Sequence, residues 1–177
     1  AQDTQGWTPL FHATGRWLYS EAVIPALVSA GAIVDAQDSD GWTPLMAATK
    51  NELHSTEIIK MLLAAGASVQ ARDVNGASPL AFAAAFCQDP KSIESLIEAG
   101  ADVNARDAAG WTPLFSWARF GGSELVLDAL ISAGADLQAT DLRGRSVLDV
   151  IREEFPHVNL EPSVLAKLIA AIERGEY

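Results

Sequence analysis

Apolar residues recur along this chain at offsets i, i+1, i+4 and i+5, and the set returns every 34 or 35 residues. They are Val23, Ile24, Leu27 and Val28, then Ile58, Ile59, Leu62 and Leu63, then Ile93, Leu96 and Ile97, then Val126, Leu127, Leu130 and Ile131. These offsets share one face of a helix, so each period contains an amphipathic helix with a buried stripe. Polar residues mark the starts of these helices at Ser20, Ser55, Asp89, Ser123 and Glu161. Their ends fall at Gly31-Ala32, Gly66-Ala67, Gly100-Ala101 and Gly134-Ala135, where glycine can take the left-handed conformation that closes a helix.

A second helix precedes each of these. Gly6-Trp7-Thr8-Pro9-Leu10 returns as Gly41-Trp42-Thr43-Pro44-Leu45, Gly76-Ala77-Ser78-Pro79-Leu80, Gly110-Trp111-Thr112-Pro113-Leu114 and Gly144-Arg145-Ser146-Val147-Leu148. The hydroxyl residue is an N-cap, because its oxygen accepts a bond from an orphan amide of the first turn. Proline suits the first helical position, where no amide is needed; only Val147 breaks the column. Between Gly-Ala and the next cap lies a short alternating stretch such as Ala101-Asp102-Val103-Asn104-Ala105-Arg106-Asp107, ending in Asp-x-x-Gly. This predicts an extended hairpin with a tight turn. A period of this size means helical units stacked side by side, each too small to bury its own apolar face.

With these columns in view, the chain resembles the ankyrin repeat family over essentially its whole length. The resemblance implies an all-α solenoid of about five stacked helix-turn-helix units with short β-hairpin connections, forming a single domain over residues 1–177. The repeats are expected at 4–38, 39–73, 74–107 and 108–141, with a C-terminal capping repeat at 142–177. Ala1-Gln2-Asp3 reproduces Ala36-Gln37-Asp38, so residues 1–3 read as the tail of a truncated upstream repeat and the chain as a fragment. The apolar surface of the first repeat is then expected to lack cover, favouring self-association there. At the other end, Val164, Leu165, Leu168 and Ile169 continue the stripe, and Ile172-Glu173 replaces Gly-Ala, which closes the stack.

Several departures from the family pattern bear on packing. Where the family carries histidine after leucine, this chain has Phe11, Met46, Ala81, Phe115 and Asp149, so apolar packing must replace imidazole hydrogen bonds. The copies run 25, 25, 24 and 24 residues from register glycine to Gly-Ala glycine, so the turns between helices, such as 50–54, should be enlarged. Pro25 should kink its helix or delay its start. Trp117 stands where the other copies have Ala13, Ala48 and Ala83, so packing in the fourth repeat must differ.

Composition narrows the function. The formal charge is 12 − 23 = −11, which repels nucleic acid and anionic membranes. No apolar run is long enough to span a bilayer. A single cysteine, Cys87, precludes an internal disulfide and fits a reducing compartment, which favours the cytoplasm while leaving export open.

Candidate chemistry is sparse. Asp3, Asp38, Asp73, Asp107 and Asp141 form an acidic column, but one carboxylate per repeat sets neighbours about 10 Å apart, too far for one ion. They read as turn formers. His12, His54 and His157 fall at unrelated positions, Gly121-Gly122 has no phosphate-loop context, and Cys87 reads as core filling. Asn104 lies in a stretch resembling ankyrin asparagines that are hydroxylated, though it reads more simply as a hairpin residue. No nucleophile, base and orienter can be assembled, so no enzyme, metal or cofactor is expected.

The expected function is binding of another protein through the concave face. By family geometry Trp7, Trp42 and Trp111 sit at the base of the hairpin tips, where they either face a partner or pack on the adjacent hairpin. The inner helix ends bring Arg16, Lys50, Phe86, Arg119 and Phe120 to the same groove, together with Phe82. The outer helices instead carry Glu21, Glu57, Glu94, Glu98, Glu124 and Asp128. This predicts a basic, aromatic groove and an acidic back. The alternative is a regulatory or targeting segment of a larger enzyme or toxin encoded upstream.

Overall fold

A computed structural model describes residues 2–15, 20–51, 54–154 and 161–175. Its helices fall in pairs: α1 (Pro9–Thr14) with α2 (Ser20–Ser29), α3 (Pro44–Ala48) with α4 (Ser55–Ala64), α5 (Pro79–Phe86) with α6 (Pro90–Glu98), and α7 (Pro113–Phe120) with α8 (Glu124–Ser132). They are followed by α9 (Val147–Glu154) and α10 (Pro162–Arg174). The odd-numbered helices pack in one row and α2, α4, α6 and α8 in a second, parallel row. The core runs unbroken between the rows, from Leu10 and Ile24 through Leu45, Ile59, Leu80, Leu96, Leu114 and Leu127 to Val150 and Leu168.

The cap chemistry explains the inner helices. Thr8, Thr43 and Ser78 hydroxyls accept the amides of Phe11, Met46 and Ala81 at 3.2, 3.4 and 3.2 Å. Thr112 holds the cap position without that bond. The Phe115 amide donates instead to the Thr112 carbonyl at 2.9 Å, and the buried Thr112 hydroxyl has no partner among the described residues. In the last unit Asp149 replaces the missing proline signal. Its carboxylate accepts the Ser146 amide and hydroxyl at 2.9 and 2.6 Å, while Ser146 Oγ accepts the Asp149 amide at 3.3 Å. This reciprocal box satisfies two orphan donors and starts α9.

The polar residues at the outer-helix starts do not all act as caps. Ser20 and Ser55 are the first residues of α2 and α4, and His54 holds the cap position of α4 without a side-chain cap bond to the helix. Ser55 is buried and points its hydroxyl at Ser92, 3.5 Å away, rather than back at an amide. Asp89 and Ser123 cap as expected, accepting from Lys91 and Val126, whereas Glu161 makes no side-chain cap bond. Pro25 lies inside α2, which excludes a late start. The Gly-Ala ends form paired closing bonds: Ala32, Ala67, Ala101 and Ala135 each donate back five residues at 2.9 to 3.0 Å, across glycines at φ near +85.

The hairpins are not stranded. Among the described residues the β pairing is confined to one bridge between Thr140 and Ser146. A turn of five residues has room for few backbone bonds, so the aspartate side chain closes it. Asp38 Oδ1 accepts the amides of Asp40 and Trp42 at 2.9 and 2.8 Å, and Asp73 and Asp107 repeat the pattern. The turns then bond to each other. Amides of Ser39, Val74, Ala108 and Leu142 donate to the carbonyls of Gln5, Asp40, Asn75 and Ala109 at 2.9 to 3.1 Å, one rung per repeat boundary. A second tie comes from Gln70 and Asn104, whose side-chain amides donate to Gly100 and Gly134 carbonyls. Asn104 Oδ1 also accepts the Asp136 amide at 2.7 Å, which makes this residue an inter-repeat strut.

Close approach at the rungs dictates the register glycines. A Cβ at Gly41 or Gly110 would lie 2.9 Å from the amide nitrogen of Val74 or Leu142, and both glycines have φ near +80. Trp117 similarly dictates its neighbour. Its buried indole donates to the Ser123 carbonyl at 3.0 Å and lies where a Cβ on Gly122 would be, so Gly122 is a packing requirement.

Coverage of the first repeat follows expectation in part. Val23 and Leu27 are half-buried where their equivalents Ile58 and Leu62 are buried. Phe11, expected to share that exposure, is buried, because the Trp7 ring stacks on it at 4.9 Å.

Candidate functional site

The inner helices and the hairpin turns of the second to fourth repeats enclose an open concavity of about 550 Å³. Trp42, Lys50, Phe82, Phe86, Trp111, Arg119 and Phe120 all line it. Its two cations are held on ring faces. Lys50 Nζ lies 4.3 Å from the Trp42 centroid and 4.9 Å from that of Phe86, between rings from adjacent repeats. The Arg119 guanidinium lies 5.5 Å from Trp111 and 5.4 Å from Phe120. The rings touch in turn: Trp42 meets Phe82 edge-on at 4.5 Å, and Phe86 meets Phe120 at 4.8 Å. Cation and quadrupole attract, so the long side chains of Lys50 and Arg119 are braced.

Accessibility within this set is uneven. Phe82 is buried and serves as a base for Trp42, whereas Phe120 is 51% exposed. Trp42, Phe86 and Trp111 are half-buried. Trp7 does not join them: its ring sits on Phe11, and its indole donates to Asp38 of the next hairpin at 3.1 Å. Trp7 thus packs on the adjacent hairpin, one of the two placements expected of this column. Arg16 lies outside the described residues.

Asp73, Asn75, Asp107 and Ser116 also line the concavity, and sequence reasoning did not assign them there. The signal was present, since the aspartate column that clamps the turns necessarily borders the groove. Asp141, the last of that column, is buried. Burial pushes its pKa up, but the Arg145 amide and guanidinium and the Arg143 amide outweigh that and hold it at about 2. Asp3 is lowered chiefly by the Trp7 amide, and its Oδ2 meets His12 at 2.9 Å.

Exposed Glu57, Glu94, Glu98 and Glu124 occupy the outer row. Lys167 of α10 neutralises part of this face by bonding Glu124 and Asp128 at 2.9 and 2.6 Å. Cys87 is buried and donates to the Thr49 carbonyl at 3.5 Å; burial raises its thiol pKa, which keeps it in the inert form. Among the described residues no group of His, Cys, Asp and Glu side chains could hold a metal ion, and no helix is long and apolar enough to cross a membrane.

Stacked helix pairs tied by glycine turns define a repeat solenoid. A model of three ankyrin repeats matches residues 1–73 and 19–107, a model of a single ankyrin repeat matches residues 109–142, and the chain belongs to the ankyrin repeat family. No curated protein matches it. Ankyrin repeats generally mediate protein–protein interaction and are typically non-catalytic modules.

Proposed function

We propose that this chain binds another protein through the concavity of its second to fourth repeats. The observation that carries the reading is the convergence there of Trp42, Phe86, Trp111 and Phe120 with Lys50 and Arg119, while the outer row exposes carboxylates. Tryptophan and arginine are among the side chains most enriched in binding hot spots. Bracing the two cations on rings lowers the entropy lost when a partner fixes them.

The test is a titration of proteins recovered with the chain against four forms of it. Trp111→Ala should weaken binding by at least roughly thirtyfold, equivalent to about 2 kcal/mol. Arg119→Glu should chiefly slow association and change its salt dependence. Glu94→Lys, on the outer row, should leave affinity unchanged. Tight binding by Trp111→Ala together with loss of binding by Glu94→Lys would move the interface to the outer helices and end this reading.

A further inference from the structure

The two ends of the concavity differ in how their polar groups are used. At the end formed by the second repeat, the acceptors are already engaged. Asp38 Oδ1 takes the Trp42 and Asp40 amides and its Oδ2 takes the Trp7 indole. Asp73 Oδ1 takes the Asn75 and Ala77 amides, and its Oδ2 meets the Asn75 side-chain amide at 3.5 Å. The donors of this end are not engaged. Among the described residues neither the Lys50 ammonium nor the Trp42 indole N–H has a hydrogen-bond or carboxylate partner. Both line the same cavity, and the rings of Trp42 and Phe86 hold the ammonium in place.

We propose that this end is a receptor for a carboxylate: an Asp or Glu side chain of the partner, on a segment whose neighbouring apolar residue rests on exposed Phe120. The inference rests on the concavity being the binding face and specifies what it selects. Charge complementarity commits it to an anion, because a cationic side chain would meet the Lys50 ammonium, whose donors are unengaged, while Asp73 Oδ1 already accepts two turn amides. Ring faces carry negative potential, so they stabilise Lys50 but cannot satisfy its hydrogen-bond donors. A carboxylate can accept from Lys50 Nζ and from the Trp42 indole together, and charge-assisted bonds of this kind are about twice as strong as neutral ones. Phe120 touches Phe86, so the apolar anchor and the anion site are contiguous.

The experiment is selection from a random displayed peptide library on the immobilised full chain, followed by titration of the enriched peptides. The wild type should enrich Asp or Glu at one position beside an aromatic or branched aliphatic residue. Lys50→Met keeps an unbranched stem on the rings and removes the charge. It should lose the acidic preference, keep the apolar one, and bind the acidic peptides about tenfold more weakly. Lys50→Arg should restore the acidic preference, and Trp42→Phe should weaken the acidic peptides by a larger factor than their neutral analogues. Lys50 is exposed, so an unchanged thermal midpoint verifies that these variants fold. Enrichment of Lys or Arg, enrichment of nothing, or an undiminished acidic preference in Lys50→Met overturns the receptor. Enrichment of apolar peptides with no acidic position, lost on Phe120→Ala, would retain the groove and sink the carboxylate site alone. Peptides insensitive to Phe120→Ala and Trp111→Ala but lost on Glu94→Lys would sink both.

Discussion

Replacing Gly110 by alanine separates the cost of backbone conformation from the cost of crowding between repeats. Gly110 has φ +82, and its added Cβ would meet the Leu142 amide nitrogen at 2.9 Å. Gly144 is its equivalent one repeat on, with φ +75 and nothing within 4 Å. Both substitutions put a side chain in a left-handed conformation, at about 1 to 2 kcal/mol each. Only Gly110→Ala also forces apart two backbones, lengthening the rung from the Leu142 amide to the Ala109 carbonyl, now 3.0 Å. Losing that bond adds about 1 kcal/mol, and incomplete relaxation of the clash adds about as much again. The expected totals are about 3 to 4 kcal/mol for Gly110→Ala and about 1 to 2 kcal/mol for Gly144→Ala. For a chain of 177 residues each kcal/mol moves the melting midpoint by roughly 2 to 4 °C. Thermal unfolding followed by circular dichroism therefore separates the variants by several degrees, and exchange of the Leu142 amide should accelerate in Gly110→Ala alone. Equal midpoints for the two variants would show that the rungs carry no stability and refute the reasoning.

Gly122→Ala should displace the Trp117 indole, break its bond to Ser123 and destabilise the fourth repeat by about 1 to 3 kcal/mol, read as a red shift in tryptophan emission. Asp141, held at about 2 against an ordinary 3.8, stabilises the fold above pH 4. As pH falls from 4 to 2 the unfolded carboxylate protonates first and roughly 2 kcal/mol is lost, so Asp141→Asn should flatten the acid limb of a urea-midpoint profile. Amides of α2 should exchange faster than those of α4, since Val23 and Leu27 are half-buried; equal protection of both helices in a proven monomer would count against the partial coverage of the first repeat.

Local chemistry made the helices legible in the sequence. Thr8, Thr43 and Ser78 cap as their type and spacing require, and each glycine before alanine closes an outer helix. Thr112 has the same sequence neighbourhood, yet the Phe115 amide donates to its carbonyl rather than to its hydroxyl, a choice that residue type and spacing do not encode. The hairpins misled for a related reason. Alternation in 101–107 suits a strand, but the partners of its polar groups lie in the next repeat, as the bonds of Asn104 to Gly134 and Asp136 show. The groove residues were legible as columns, yet their pairing was not. Lys50 meets Trp42 within its own repeat and Phe86 from the following one, a juxtaposition produced only by stacking. Trp7, with the same Gly-Trp-Thr-Pro signature as Trp42 and Trp111, makes a contact of its own, its indole donating to Asp38.

The rungs between turns have a direction. Each turn gives one amide to the turn before it and offers one carbonyl to the turn after it, at Ser39, Val74, Ala108 and Leu142 in succession. Because this rung is the same at all four boundaries, a whole unit can be duplicated in or excised without orphaning a rung amide or carbonyl, provided the cut falls at equivalent positions. The register glycines, spaced 35, 35, 34 and 34 residues apart, mark those equivalent positions. Groove length would then be the freely adjustable trait of the architecture, while insertions of any other size are paid for in unbonded amides.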